Sequence, residues 1–193
     1  MRKVAGGGQG NQGRLLAEPE KNPVNRPDSE SFQDCFNAAV HFLGYRPRSE
    51  HEVRQRLQQR GFEGDSINAV IAELKKQGLL DDLAFAESWR DDRNAFNPRS
   101  RWLIKSELRQ KRIAGDIIDQ VTGAMDDEDN AYRAASIKAR SLSRSDYEGF
   151  RRRLGEYLKR RGFDYGLINR VVEQVWRESN QSENAWLERT PDG

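Results

Sequence analysis

One cysteine in 193 residues means that no internal disulfide can staple this chain. Cys35 sits in an apolar helical pattern with no His and acid partner in view, so a buried thiol is expected there rather than a nucleophile. Histidine is almost as scarce. His41 and His51 do not form a metal pair, and His51-Glu52 lacks the second His, at position 55, of a zinc-protease helix. No apolar run approaches a membrane span, and residues 1 to 30 hold no core of signal-peptide length, so a cytoplasmic protein is expected. No stretch alternates in polarity for long enough to make a strand. Neither a nucleophile with a base nor paired carboxylates on a cleft-like element can be found, so catalysis has no positive support, and no cofactor or metal is expected. Gly6-Gly7-Gly8 lacks the Gly-Lys-Ser/Thr ending of a phosphate loop and reads as linker. The acidic run Asp126-Asp127-Glu128-Asp129 lacks the central glycine of a calcium loop, and is expected to open a helix, as is Asp81-Asp82.

What is present is a repeat. Val53, Leu57, Arg60, Phe62, Ile67 and Val70 recur 51 residues later as Ile104, Leu108, Lys111, Ile113, Ile118 and Val121. They recur after a further 50 as Leu154, Leu158, Arg161, Phe163, Ile168 and Val171. A fixed period of this kind marks stacked supersecondary units. The reading is all-α: an elongated array of three tandem three-helix repeats over residues 31–80, 81–125 and 126–178. Disordered tails are expected at 1–30, with Pro19, Pro23 and Pro27, and at 179–193, polar except for Trp186 and Leu187.

Within the first repeat, Phe36, Ala39, Val40 and Leu43 follow the spacing of one helix face. Pro47 breaks that helix, and Ser49 with Glu52 three residues on is a capping box for the second. Gly61 is placed to be the left-handed residue of a Schellman cap, with Phe62 packing back on Leu57. Asp65 is expected to cap the third helix, whose inner face is Ile67, Val70, Ile71 and Leu74. Tyr45-Arg46-Pro47-Arg48-Ser49 returns as Phe96-Asn97-Pro98-Arg99-Ser100, so the entry to the middle helix is repeated as well as its exit. In the second repeat Arg112 takes the glycine position, so that helix ends either on a strained residue or in another way. The third repeat lacks the proline and has extra residues between a Ser145 cap and Leu158, which predicts a longer middle helix.

Net charge is only +2, yet the charges are segregated. Residues 99 to 112 carry six basic side chains and one acidic, residues 150 to 163 the same, and residues 81 to 92 five acidic and one basic. On the second middle helix, Arg101, Lys105, Arg109 and Arg112 form one stripe opposite Ile104 and Leu108, with Lys111 beside it. Arg151, Arg152 and Arg153, then Lys159, Arg160 and Arg161, crowd both ends of the third. Such surfaces suit a polyanion, a charged protein partner, or both.

Gly78-Leu79-Leu80-Asp81-Asp82-Leu83-Ala84-Phe85-Ala86, followed by the Arg-rich segment to Arg93 and then by Ile104, Glu107-Leu108 and Lys111-Arg112-Ile113, closely resembles the RecX family of recombination regulators. Ser49 to Phe62, with its Glu-Val and Leu-x-x-Arg-Gly-Phe pattern, is similar to the first repeat of that family. The resemblance spans about residues 34 to 178, and Arg112 departs from the glycine usual there. It implies a crescent of three-helix repeats that binds the RecA recombinase and the RecA–DNA filament, with DNA itself, single- or double-stranded, as a further ligand. It also implies inhibition of the recombinase, ATPase and coprotease functions of RecA. On that reading the eleven basic residues above are candidate RecA- or DNA-binding residues, and a monomer is expected. The alternative is a helix-turn-helix-like DNA-binding transcriptional regulator, since three-helix units with a basic helix suit both.

Overall fold

The periodic runs become helices whose ends are set by local chemistry. The computed structural model describes residues 29–142 and 146–187, with side chains over 30–142 and 146–179. Nine helices and no strand occur among the described residues: α1 Ser29–Leu43, α2 Glu50–Gln59, α3 Gly64–Lys76, α4 Asp82–Phe96, α5 Arg101–Gln110, α6 Gly115–Thr122, α7 Asp127–Ala139, α8 Tyr147–Lys159 and α9 Tyr165–Leu187. They form three tandem three-helix units. The expected disordered tails fall largely outside the described residues, although α9 continues past residue 178 to Leu187.

Each unit buries its own core. Cys35, Ala39, Val53, Leu57, Val70 and Leu74 belong to the first, Phe85, Ile104, Leu108 and Ile118 to the second, and Phe150, Leu154, Leu158 and Val171 to the third. Each large apolar side chain fully buried in this way contributes about 1.5–3 kcal/mol. Burial also raises the pKa of the Cys35 thiol, which keeps it protonated. The α1 face is rotated from the expected one. Val40 is 40% exposed, while Cys35 and Ala38 are buried and Phe32 and Phe42 pack at the edge, because two helices rather than one cover this side of α1.

The middle helices begin and end as their sequences require. Ser49 and Glu52 form the complete capping box, and Ser100 Oγ accepts from the Leu103 N–H at 3.1 Å. Ser145 lies outside the described residues, and the N-cap of α8 is Asp146, which accepts from the Gly149 N–H at 2.9 Å. That helix has 13 residues against 10 in α2 and α5, as the extra sequence predicts. Asp65 is not a cap. Glu63 holds that position without a side-chain bond, its extra methylene making a poor cap, and Asp65 stands in the first turn instead. Only in the third unit does a side chain take up this role, Asp164 accepting from the Leu167 N–H at 3.0 Å.

At the exits, Phe62, Ile113 and Phe163 donate back to the carbonyls of Leu57, Leu108 and Leu158 at 3.3, 3.1 and 3.4 Å. Gly61, Arg112 and Gly162 stand at φ 86°, 59° and 82°. All three are Schellman caps, so the middle unit keeps the geometry and accepts a strained residue. Arg112→Gly should therefore stabilise the chain by about 1 kcal/mol in denaturant melts. A loss of stability would show that the exposed arginine makes contacts that outweigh its backbone strain.

With the cores separate, polar contacts join the units. The first N–H of α2, from Glu50, is accepted by Asp82 Oδ1 at 2.8 Å, and the first N–H of α5, from Arg101, by Asp127 Oδ1 at 2.6 Å. The aspartate that opens each following unit thus also satisfies an orphan donor of the preceding middle helix, where the helix dipole favours its charge. Lys111 reaches Glu52 at 2.8 Å across the first joint, and the Ser100 N–H donates to the Arg161 carbonyl at 3.0 Å across the second.

Candidate binding surface

α5 and α8 occupy the same place in their units, so their outer faces are comparable residue by residue. Lys105 on α5 is held by Asp119 of α6 at 2.7 Å, and that hydrogen bond and charge keep the Asp119 carboxyl below the usual range. In the first unit Arg54 spans the same gap to Asn68 at 2.7 Å. The third unit has Gly155 there, whose absent Cβ would lie 3.7 Å from Ile168. Without the strut, a groove of about 370 Å³ opens between α8 and α9, lined by Arg151, Arg152, Lys159, Tyr165 and Asn169 among others. Lys159 Nζ stands 5.4 Å from the centroid of the Tyr165 ring, and its contact with that residue raises the lysine pKa. Arg151 is loosely paired with Glu148 at 3.8 Å.

The structure divides the eleven basic candidates into two sets. Arg101 donates to the Met125 carbonyl, and Lys111 is shared between Glu52 and the Trp89 ring at 5.1 Å. Arg161 stacks on Tyr157 at 3.7 Å and donates to Asn97, and burial lowers its pKa. These three, with Lys105, hold helices and units together. Arg109, Arg112, Arg152 and Arg160 are exposed, and their side chains make no hydrogen bond or ion pair with any described residue. Arg151, Arg153 and Lys159 are exposed as well. The solvent-facing set is thus concentrated on α8 and its C-terminal end, with Arg109 and Arg112 on the α5 side.

Two aromatic residues that hydropathy spacing does not single out stand on these surfaces, Trp102 and Tyr165, each 65% exposed. A large ring standing off the apolar stripe of a repeat is the signal that could have found them. No group of His, Cys, Asp or Glu among the described residues could hold a metal ion, and no described helix is long and apolar enough to cross a membrane.

Family models for the first, second and third three-helix domains of RecX match residues 35–74, 81–121 and 126–172, in that order along the chain. The chain belongs to the RecX family. The "Regulatory protein RecX" of Prosthecochloris aestuarii is 31% identical over 148 residues, covering 77% of this chain and 97% of the relative. That of Amycolatopsis mediterranei is 29% identical over 159 residues, covering 81% and 91%. In fold the chain is similar to the crystal structure of RecX from Lactobacillus salivarius, with a TM-score of 0.63 at 23% identity over 76% of this chain and 97% of the other. The three RecX domains correspond to the three cores, and the contacts that join them include those of Asp82, Asp127, Lys111, Ser100 and Arg161 described above.

Proposed function

We propose that this chain is a regulatory protein that binds RecA and its nucleoprotein filament and restrains the ATPase, recombinase and coprotease activities. What carries the reading is the ordered match of all three domains to a family whose relatives are named as RecX regulatory proteins. The exposed cations of α8 and of the α5 side suit the phosphates of a filament or the acidic surface of a protein. Action by binding alone fits an array with no catalytic constellation, and a cytoplasmic site of action follows from that partner.

The purified protein is expected to inhibit RecA ATPase on single-stranded DNA at amounts below one per RecA monomer, because a bound regulator that blocks growth or a groove affects many subunits. Combining Arg109→Ala, Arg151→Ala and Arg152→Ala removes exposed helical cations that Ala replaces readily, so the fold should persist. The triple variant should need about tenfold more protein for the same inhibition, and its binding should depend less on salt, by a slope of about one for each phosphate no longer neutralised. Unchanged ATP turnover in excess protein, together with tight binding to one duplex sequence, would instead establish a transcriptional regulator.

A further inference from the structure

The first and second units share a corner, the turn from the first helix into the middle one, and the two corners differ in charge. In the second unit Glu107 sits mostly buried at the centre of it. Its Oε2 accepts from Trp89 Nε1 at 2.7 Å and from Arg93 Nε at 3.2 Å, and its Oε1 from Arg99. The 51-residue register puts Arg48 at the place of Arg99, and Arg56 at the place of Glu107. Two positions that form an ion pair in the second unit therefore carry like charges in the first.

Phe42 takes the place of Arg93, and both guanidinium groups lie over its ring, Arg48 at 4.1 Å and Arg56 at 5.8 Å from the centroid. The ring offers them a π face but no hydrogen-bond acceptor. Neither arginine side chain makes a hydrogen bond or an ion pair with any described residue, and Arg48 Nε is buried without an acceptor. Burial lowers the Arg48 pKa and the neighbouring Arg46 adds to the effect, so this charge is held against its own preference. The nearby Glu52 charge offsets this only in part, because its carboxylate is shared already between Arg46 at 2.9 Å and Lys111 at 2.8 Å.

We propose that the Arg48–Arg56 corner is a receptor for a carboxylate of another protein, an acidic side chain taking the place that Glu107 fills in the second unit and bridging both guanidinium groups over Phe42. The second unit supplies the argument for a carboxylate: the fold itself completes this corner with a planar acid whose two oxygens are divided among the donors. A peptide rather than a free anion is favoured by the flank. Arg48 also lines a groove of about 400 Å³ with Tyr45 and Leu79, which are 72% and 49% exposed and give the neighbours of an acidic residue an apolar bed. The site does not depend on the RecA reading, because it is defined by chemistry that a synthetic ligand can supply.

Arg56→Glu tests this directly by placing the acid in cis. Arg56 is exposed, so the fold should survive, and the new ion pair with Arg48 should raise Tm by about 2 °C or more. Binding of a fluorescent Glu-rich peptide to the full chain should fall at least tenfold in Arg56→Glu. It should fall by a smaller factor in Arg56→Gln, with no gain in Tm. Equal peptide binding by Arg56→Glu and the unaltered chain overturns the proposal. So does failure of the peptide to bind the unaltered chain. Loss in Arg56→Glu of binding to a single-stranded oligonucleotide, with peptide binding kept, would assign the corner to nucleic acid instead.

Discussion

Gly162→Ala should destabilise this chain by about 2–4 kcal/mol, while Gly61→Ala, at the same place in the first unit, should cost only about 1 kcal/mol. Backbone strain is common to both, since the two glycines stand at φ 82° and 86°. Their surroundings are not. A Cβ on Gly61 would meet nothing within 4 Å, whereas one on Gly162 would lie 2.6 Å from Ser100 Oγ, 2.8 Å from Leu103 Cβ and 3.3 Å from Trp102 Cε3. Those atoms cannot swing away cheaply. Ser100 Oγ caps α5, and the Ser100 N–H is bonded to the carbonyl of Arg161, next to the glycine. The methyl group therefore wedges the second and third units apart at a joint that has little apolar burial to compensate. Urea melts of the two variants decide the matter, and similar losses in both would mean that the joint opens freely. The same comparison explains why Arg112 is tolerated: its side chain is exposed and lines an open groove at the first joint.

Glu52→Gln should remove about 2–3 kcal/mol at neutral pH and flatten the acid limb of the stability profile. Burial alone would raise the Glu52 pKa, but hydrogen bonds from Lys111, Arg46 and the Ser49 N–H outweigh it and pull the carboxyl down from 4.5 to about 2. The side chain is 14% exposed, so water screens these contacts only weakly. A group whose folded pKa is depressed contributes its stability above the unfolded value and loses it as pH falls. The unaltered chain should hold the contribution down to about pH 4.5 and lose it progressively toward pH 2, where the two proteins converge. The loss should be large for one residue because Glu52 completes the α2 capping box and also anchors the lysine that crosses from the second unit. Denaturant melts between pH 2.5 and 7 test this, and a glutamine variant with an undiminished acid limb would assign the effect to other carboxylates.

Much of the fold could be read from residue order because the deciding interactions are short-range. The Ser49–Glu52 box, the Asp81 and Asp126 caps and the left-handed exits after Leu57, Leu108 and Leu158 each involve residues within six positions of one another, and their chemistry repeats with the period. The Asp81-Asp82 and Asp126-Asp127 pairs show how far this extends. Both pairs open helices as expected, the first members as N-caps, but the second members also bond to the preceding middle helices, and nothing adjacent in sequence requires that.

The basic face marks the same boundary. Segregated charge is visible in composition, and it points to α5 and α8. Which cations remain available to a partner was settled only when the helices packed, since Lys111 meets an acid 59 residues away and Arg161 an amide 64 residues away. Gly155 is inconspicuous in sequence, and its missing side chain leaves a groove only once α8 has packed on α9. By itself the sequence determined the repeat, the helices, the left-handed exits of the middle ones and the sign of the charge on each, because these depend on periodicity and on neighbours along the chain. Tertiary structure decided the pairing of charges, the joints and the open surfaces, because an ion pair or a groove is made by distances between helices, and those exist only once the cores have closed.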